Sequence, residues 1–263
     1  MYPRLNIAIR AIRKGGNFLA QNYDKKYIFD QNSKKNIKYL KNIQNITFNI
    51  ISEIILKFYP TDTIIQEKIY HSLKTDQKMK WIIYPLDGKT NFLHKIPHFC
   101  VSILIIKNNI KLISVIYDPI KNDLFTAIKG KGAQLNGYRM RCSTQSLIYN
   151  SIITIYILKF LKIKKYLFFL SPLLQENTNI RCSGSLILDL AYLSSGKIDF
   201  FIGINLKKNN FLVGELQIQE SGALISDFFG NPNYNIKNNI FSSNEKLLRF
   251  MLQKNFLESK EKK

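Results

Sequence analysis

Two stretches near the start of the chain carry apolar residues at helical spacing. In residues 3–22 the apolar positions recur three and four residues apart, which predicts an amphipathic helix. Residues 43–58 show the same period and end before Pro60, so a second helix is expected there. The polar stretch between them, residues 24–42, has weak periodicity and is predicted to form a loop or a frayed hairpin.

From residue 60 to about residue 145, the pattern is that of short apolar strands separated by turns. Asn108-Asn109 and Asn136-Gly137 supply turn signals between apolar runs. The first half of the chain is therefore predicted to contain a sheet. Its expected strands are residues 63–67, 81–83, 99–107, 111–118 and 124–128.

Beyond residue 145 the predicted strands and helices alternate, which is typical of an α/β fold. Because no Pro/Gly/Ser-rich linker interrupts the chain, we predict an N-terminal α+β half (1–143) and a C-terminal α/β half (144–263) in one continuous globular unit. The strands are expected at 150–157, 198–202 and 223–227. The helices are expected at 185–195, 211–221 and 244–255.

The composition favours a globular protein of the cytoplasm. The 263 residues are 46% hydrophobic, and four lysines interrupt the longest apolar run, residues 152–174, so we predict a buried segment and no membrane span. The three cysteines form no CxxC pair, which favours a reducing compartment. The net charge of +21 has two interpretations. It can serve contact with an acidic partner such as RNA, or it can reflect a genome-wide bias toward lysine and asparagine.

The segment 81–102 carries the candidate chemistry. A strand that delivers a carboxylate, Asp87, into a glycine turn is a good way to hold Mg²⁺, which takes carboxylate and carbonyl oxygens as ligands. The carbonyl of Leu86 is a second donor. Tyr84 and Lys89 on the same loop do not fit, because a phenol is a poor Mg²⁺ ligand and an ammonium repels the ion.

Six segments together resemble the inositol monophosphatase family, including YPLDGKTNF at 84–92 and GELQIQESG at 214–222. The resemblance covers nearly the whole chain and implies a layered αβαβα sandwich, an α/β (α+β) fold that is often dimeric. It also implies Mg²⁺-assisted hydrolysis of a phosphate monoester. The resembling segments are 5–23, 59–67, 81–103, 115–141, 184–199 and 214–228.

The resemblance implies a mixed set of site residues. Glu67, Asp87 and the carbonyl of Leu86 match the family's metal ligands, and Leu86, Asp87, Gly88 and Arg181 are the expected substrate contacts. Other functional positions are changed, so Mg²⁺ binding is expected to be weakened and no catalytic residue is assigned. The changed positions are Lys38, Lys41, Gln44, Tyr84, Lys89, Gly203, Asn209 and Asn210.

Two functions from different classes remain open at this point. The resemblance is strongest to a bacterial branch whose members also act as Nus factors, which join RNA polymerase, NusA and other Nus factors in rRNA transcription antitermination and rRNA folding. It therefore implies a binding protein with little phosphatase activity that forms a homodimer and has rRNA among its candidate partners. The alternative is a Mg²⁺-dependent inositol-1-monophosphatase. In the first case Lys89 is expected to pair with Glu67 or Asp87.

Two smaller features also have open interpretations. Gly184-Ser185 precedes an apolar helix, so Ser185 is expected either to cap that helix or to bind phosphate at its N-terminus. His94 and His98 are four residues apart, but Pro97 between them argues against a shared helical face and a metal site.

Overall fold

A computed structural model describes residues 3–25, 33–67, 78–158, 173, 176–232 and 239–261. Helices within these ranges are α1 (Pro3–Asp24), α2 (Ser33–Phe58), α3 (Lys89–Leu93), α4 (Leu186–Ser194), α5 (Lys208–Ser221) and α6 (Glu245–Glu261). The strands of the first sheet are β1 (Thr63–Gln66), β2 (Lys80–Asp87), β3 (Cys100–Lys107), β4 (Ile110–Asp118), β5 (Asp123–Ile128), β6 (Gly132–Leu135) and β7 (Tyr138–Met140). The strands of the second sheet are β8 (Ile152–Ile157), β9 (Asn179–Arg181), β10 (Phe200–Ile204), β11 (Leu224–Ser226) and β12 (Ile240–Ser243).

The first sheet follows chain order from β1 to β7. Only β1 and β2 are parallel, and every later neighbour is antiparallel. Side chains alternate between its two faces, as the pleat requires. In β2, Trp81 and Ile83 face the helices α1 and α2, whereas Ile82 and Tyr84 face α4 and α5.

Helices α4 and α5 form a middle layer between the two sheets. One side of this pair, including Leu188 and Val213, packs on the first sheet. The opposite side, including Leu190 and Phe211, packs on the second sheet, whose order is β11-β12-β10-β8-β9. Helix α6 covers the outer face of that sheet through Leu247. The layers α1/α2, sheet, α4/α5, sheet, α6 confirm the predicted αβαβα sandwich.

The predicted loop at 24–42 is wrong over much of its length, because α2 begins at Ser33. Residues 26–32 lie outside the described part of the chain. The helix continues upstream of residue 43 because Leu40 and Tyr39 pack partly against the core formed by α1, α2 and the first sheet. An apolar stripe of this kind, packed on the core, can stabilise a helix whose other residues are polar.

The sequence pattern also missed short strands in both halves. Strand β12, with the sequence IFSS, pairs antiparallel with both β10 and β11 and has all four residues buried. Its two serines interrupt the apolar pattern that would have predicted a strand. Both serines are fully buried and donate hydrogen bonds to backbone carbonyls. Most of the predicted apolar segment 152–174 lies outside the described residues. No helix in the described ranges is long and apolar enough to cross a membrane.

Candidate functional site

The candidate site lies where β2 ends. Pairing between β2 and β3 is irregular between Tyr84 and Asp87, so the chain leaves the regular register there. Gly88 then takes a left-handed conformation with φ +81°. A Cβ at this position would lie 2.8 Å from the backbone oxygen of His98 and 2.9 Å from Cβ of Phe99. Both the backbone angle and the close packing therefore require glycine, and this turn fixes the direction of the Asp87 side chain.

The Asp87 carboxylate binds the N-terminus of α4. Its Oδ2 accepts hydrogen bonds from Ser185 Oγ at 2.7 Å and from the backbone N–H of Ile187 at 2.9 Å. Ser185 makes no capping bond with its own side chain. Ser185 therefore takes the predicted N-cap position, but the acceptor for the Ile187 N–H is the Asp87 carboxylate, from 100 positions earlier in the chain. The Asp87 carboxylate also occupies the position in which a phosphate would meet this helix.

The Asp87 carboxylate is largely buried in the protein. Burial raises the pKa of its carboxyl, although the bonds from Ser185 and Ile187 and the nearby charge of Lys89 act in the opposite direction. Asp87 nevertheless keeps some accessible surface. The charge of Lys89 thus acts on this carboxylate, and its pairing with Asp87 or Glu67 stays a prediction.

Tyr84 connects β2 to the start of α5. Its side chain is buried, and its Oη donates a hydrogen bond of 2.5 Å to the backbone oxygen of Asn209. The Asn209 Nδ2 in turn lies 3.5 Å from the backbone oxygen of Glu67, which follows β1. Because β1 and β2 are parallel, their carboxyl ends meet α5 at the same edge of the sheet. Glu67 and Tyr84, where the family resemblance implies metal carboxylates, are therefore linked through Asn209. The next residue, Asn210, is a third such position.

Gly203 lies in the centre of the second sheet, where the resemblance implies a substrate-contacting glutamate. A Cβ at Gly203 would lie 2.5 Å from Cδ1 of Leu206 and 2.9 Å from Cγ1 of Ile240. Leu206 and Ile240 are both buried, so apolar side chains fill the space beside this position. A charged side chain there would need these neighbours to move.

A buried polar network lies around the Asp87 turn. Its second acid, Asp189, was not predicted from the sequence. Asp189 of α4 accepts a hydrogen bond of 2.6 Å from Ser183 Oγ and lies 3.4 Å from His98 Nε2. Burial raises the pKa of Asp189, and the charge of Asp87 adds to that rise. Asn91 donates from Nδ2 to the carbonyls of His98 and Ser183. The contacts of His98 with Asp189 and Asn91 are those of a residue that holds the fold together.

The pKa values of two further residues are affected by this buried network. Burial raises the pKa of Tyr156 to about 12, and Asp87 and Asp189 contribute to the rise. Burial also raises the pKa of the Cys100 thiol well above its usual range. Nothing in the sequence near Asp189 or Tyr156 identified them, because each meets Asp87 only through the packing of α4 and the second sheet onto β2.

Other predicted positions lie elsewhere or show no contact with the Asp87 turn. Arg181, in β9, is exposed and pairs in register with Thr154 of β8. Lys38 and Lys41 are exposed on α2, whereas Gln44 is buried in the same helix. In the described part of the chain, Gln44 Nε2 has no hydrogen-bond partner.

The donors that remain do not supply the clustered carboxylates that a pair of divalent cations needs. Over the described ranges, no three His, Cys, Asp or Glu side chains come together in a way that could hold a metal ion. Asp87 is already engaged by α4, and the Tyr84 hydroxyl is engaged by Asn209. Glu67, Asp87 and the Leu86 carbonyl remain oxygen donors in the sequence, and their use as a set of Mg²⁺ ligands stays a prediction.

The fold and this site define an inositol monophosphatase-type protein. The sequence pattern described as the inositol monophosphatase family matches residues 1–260, and the chain belongs to that family. Among solved structures, extragenic suppressor protein SuhB from Bartonella henselae is similar, with a TM-score of 0.81, 28% identity, and coverage of 97% of this chain and 99% of that one. An inositol monophosphatase from Thermotoga maritima has a TM-score of 0.80 at 24% identity over 99% of both chains, which is a likeness of fold.

Curated relatives narrow the similarity further. The Nus factor SuhB of Buchnera aphidicola subsp. Schizaphis graminum is 46% identical over 262 residues, which cover 97% of each chain. The Nus factor SuhB of Escherichia coli strain K12 is 40% identical over 256 residues, covering 96% of this chain and 95% of that protein. The recognised family is thereby confirmed, and relatives named as Nus factors match nearly the full length.

Proposed function

We propose that this chain is a Nus-factor-like binding protein with little or no phosphatase activity. It acts in rRNA transcription antitermination and rRNA folding, together with RNA polymerase, NusA and other Nus factors. Full-length similarity of 40–46% to proteins named Nus factor SuhB supports the class of function. The observation that carries the proposal is the Tyr84–Asn209 bond, which joins β2 to α5 at the position of the family's metal carboxylates.

The changed site argues against efficient hydrolysis. Removal of one preorganised catalytic group typically lowers a rate by about 10²–10³. Several positions are changed here, and even with strong non-additivity a rate near that of a normal enzyme is not expected. A binding role needs the fold and its surface but not the metal centre, so the same substitutions leave that role intact.

A Mg²⁺-dependent inositol-1-monophosphatase is the second candidate. It is favoured by the family and by the survival of Glu67 and Asp87 at the ends of the parallel strands β1 and β2. In that case the Asp87 carboxylate would have to exchange its bonds to α4 for a metal ion. The energetic competition between these two uses of one carboxylate makes the candidate weaker.

Phosphate release from inositol 1-phosphate, measured with saturating Mg²⁺, separates the two candidates. We expect the wild-type chain and Asp87→Asn to give the same background rate. Asn keeps an oxygen acceptor for Ser185 and Ile187, so this variant is expected to fold. Turnover well above background that disappears in Asp87→Asn would establish the phosphatase and overturn the proposal.

The binding role is tested with purified RNA polymerase and NusA. We expect the chain to co-elute with them in size-exclusion chromatography, equally with Mg²⁺ and with a chelator that removes it from the chain beforehand. Asp87→Asn should co-elute as well as the wild type. Elution of the chain apart from both partners would contradict the proposed function. Light scattering on the same column checks the proposed homodimer.

A further inference from the structure

The N-terminal half of α2 presents a row of exposed lysines. Lys34, Lys35, Lys38 and Lys41 all have exposed side chains, and we call these four residues the α2 basic face. Since an α-helix turns about 100° per residue, Lys34, Lys38 and Lys41 fall within about 60° of one another around the helix. They therefore form a line that extends about 10 Å along the axis.

Within helix α2 itself no acidic residue lies beside this line, and Asp30 precedes the helix in the sequence. From residue 33 to residue 52 there is no Asp or Glu, and Glu53 is the first acid of the helix. Lysines three and four residues apart on one face repel each other by a few tenths of a kcal/mol per pair. Cations near a helix N-terminus are also opposed by the helix dipole. The spacing of Lys38 and Lys41 is thus unfavourable for the isolated helix, and a bound polyanion would relieve it.

Among the described residues, helix α1 does not cover the start of the α2 basic face. Gly15 of α1 packs against Ile51 and Thr47 of α2, and the Arg10 guanidinium lies 5.6 Å from the Phe58 ring centroid, so the two helices are antiparallel. From this crossing, α1 ends at Asp24, whereas α2 reaches back to Ser33. At 1.5 Å per residue, the start of α2 projects about 7–14 Å beyond the end of α1.

The neighbours of the α2 basic face favour a nucleic acid over an acidic protein. The same helical face continues with exposed polar residues, Asn45 and Asn49, and the one large apolar side chain beside the lysines is Ile37, which is 51% exposed. Protein interfaces usually have an apolar or aromatic centre. A line of flexible point charges instead matches the repeating phosphates of a backbone without reading its sequence.

We propose that the α2 basic face binds the phosphodiester backbone of single-stranded RNA, independently of base sequence. The proposal rests on the proposed function only for the identity of the RNA, since transcription supplies single-stranded rRNA. Binding is dominated by counterion release and therefore weakens steeply as salt rises.

The test measures binding of a fluorescein-labelled oligouridine by fluorescence anisotropy at several salt concentrations. We expect the double variant K38E/K41E to bind about tenfold more weakly at low salt. Its slope of log affinity against log salt should be smaller by about 1.4, since each lost phosphate contact removes about 0.7. The variant should fold normally, because both positions are exposed and the new carboxylate at position 38 lies four residues from Lys34, at attractive helical spacing.

A matched control has the same change in net charge. K129E/K131E changes two exposed lysines in the turn between β5 and β6, and we expect its RNA affinity to fall less than twofold. Equal weakening by both double variants would overturn the proposal in favour of diffuse attraction by the net charge. Unchanged RNA binding in K38E/K41E, with loss of binding to labelled polyglutamate, would overturn it in favour of an acidic protein partner. Bare RNA is the probe throughout, so failure here is distinguishable from failure to bind RNA polymerase and NusA.

Discussion

Gly88 is the residue on which the geometry of the candidate site depends most. Its left-handed backbone and its contacts with His98 and Phe99 leave no space for a side chain. A substitution to alanine therefore carries two separate costs, one from the backbone angle and one from the collision. Each can be measured, because Gly137 has a similar angle, φ +87°, with no atom near its missing Cβ.

We predict that Gly88→Ala lowers the free energy of unfolding by about 2–4 kcal/mol, since strain and overpacking add. Gly137→Ala should lose only about 1 kcal/mol, from the backbone angle alone. Urea unfolding of both variants gives the comparison. Equal losses in the two variants would mean that the contacts with His98 and Phe99 relax at no cost.

Tyr84 offers a second measurement at the same scale. Tyr84→Phe removes the hydroxyl and leaves the Asn209 carbonyl without that donor, so we expect a loss of about 1–3 kcal/mol in unfolding free energy. Tyr138→Phe is the control, because Tyr138 is 82% exposed and its hydroxyl is free to bond water. No loss in Tyr84→Phe beyond that of the control would show that the bond to Asn209 does not stabilise the fold.

The sequence pointed to the Asp87–Gly88 turn, with Tyr84 and Lys89 beside it, because these residues lie within one local motif. It could not identify Asp189 as part of the same site. Asp87 and Asp189 are far apart in the sequence and come near each other only because α4 packs on β2. No local sequence pattern predicts that packing. The hydrogen bond from Tyr84 to a backbone oxygen could not be predicted either, because every residue type has a backbone carbonyl.

Among the elements, α4 depends on an acceptor from another part of the chain. The Asp87 carboxylate satisfies the Ile187 N–H and accepts from Ser185. A helix of nine residues is too short to be stable by itself in water. Its stability therefore comes from its buried faces and from this cap.

The raised pKa of Asp87 gives this cap a pH dependence with a definite sign. In the unfolded chain the carboxyl has a pKa near 3.8, and burial raises the pKa in the folded chain. Between these two values the folded state binds more protons, so this group favours the fold at low pH, and its contribution is lost as pH rises through the folded pKa.

We therefore predict that Asp87→Asn has a flatter dependence of unfolding free energy on pH than the wild type, over the range from about pH 4 upward. The measurement is urea unfolding at a series of pH values. A wild-type profile that rises with pH by more than the variant's profile would contradict the predicted sign.

Element boundaries were predicted well where apolar residues repeat without interruption. Helix α5 was expected at 211–221 and runs from Lys208 to Ser221. The early start of α2 and the strand β12 were missed for opposite reasons. Helix α2 begins among lysines that face solvent, whereas the buried serines of β12 donate hydrogen bonds to neighbouring carbonyls.

For the whole molecule, the site makes a prediction about metal dependence. A ligand present at 100 times its dissociation constant stabilises a fold by about 2.7 kcal/mol. For a chain of this size that amounts to a shift of several degrees in the midpoint of thermal unfolding. We expect no shift of that size with Mg²⁺, because α4 and α5 are held by direct hydrogen bonds.

The double variant Tyr84→Asp with Asn210→Asp restores two acids at positions implied by the family resemblance. It should be less stable than the wild type without metal and should recover stability when Mg²⁺ is added. Differential scanning calorimetry with and without Mg²⁺ measures both effects. A large Mg²⁺-induced shift in the wild type would mean that its remaining oxygen donors already suffice.

The middle layer has a consequence for how the chain is made. Strands β2 to β6 turn one apolar face toward α4 and α5, yet these helices are translated only after another fifty residues have been added. During synthesis that face stays uncovered while the ribosome completes the second half. A pause or truncation before residue 221 would leave this apolar face exposed and prone to aggregation. We therefore expect the nascent chain to bind chaperones that recognise apolar segments.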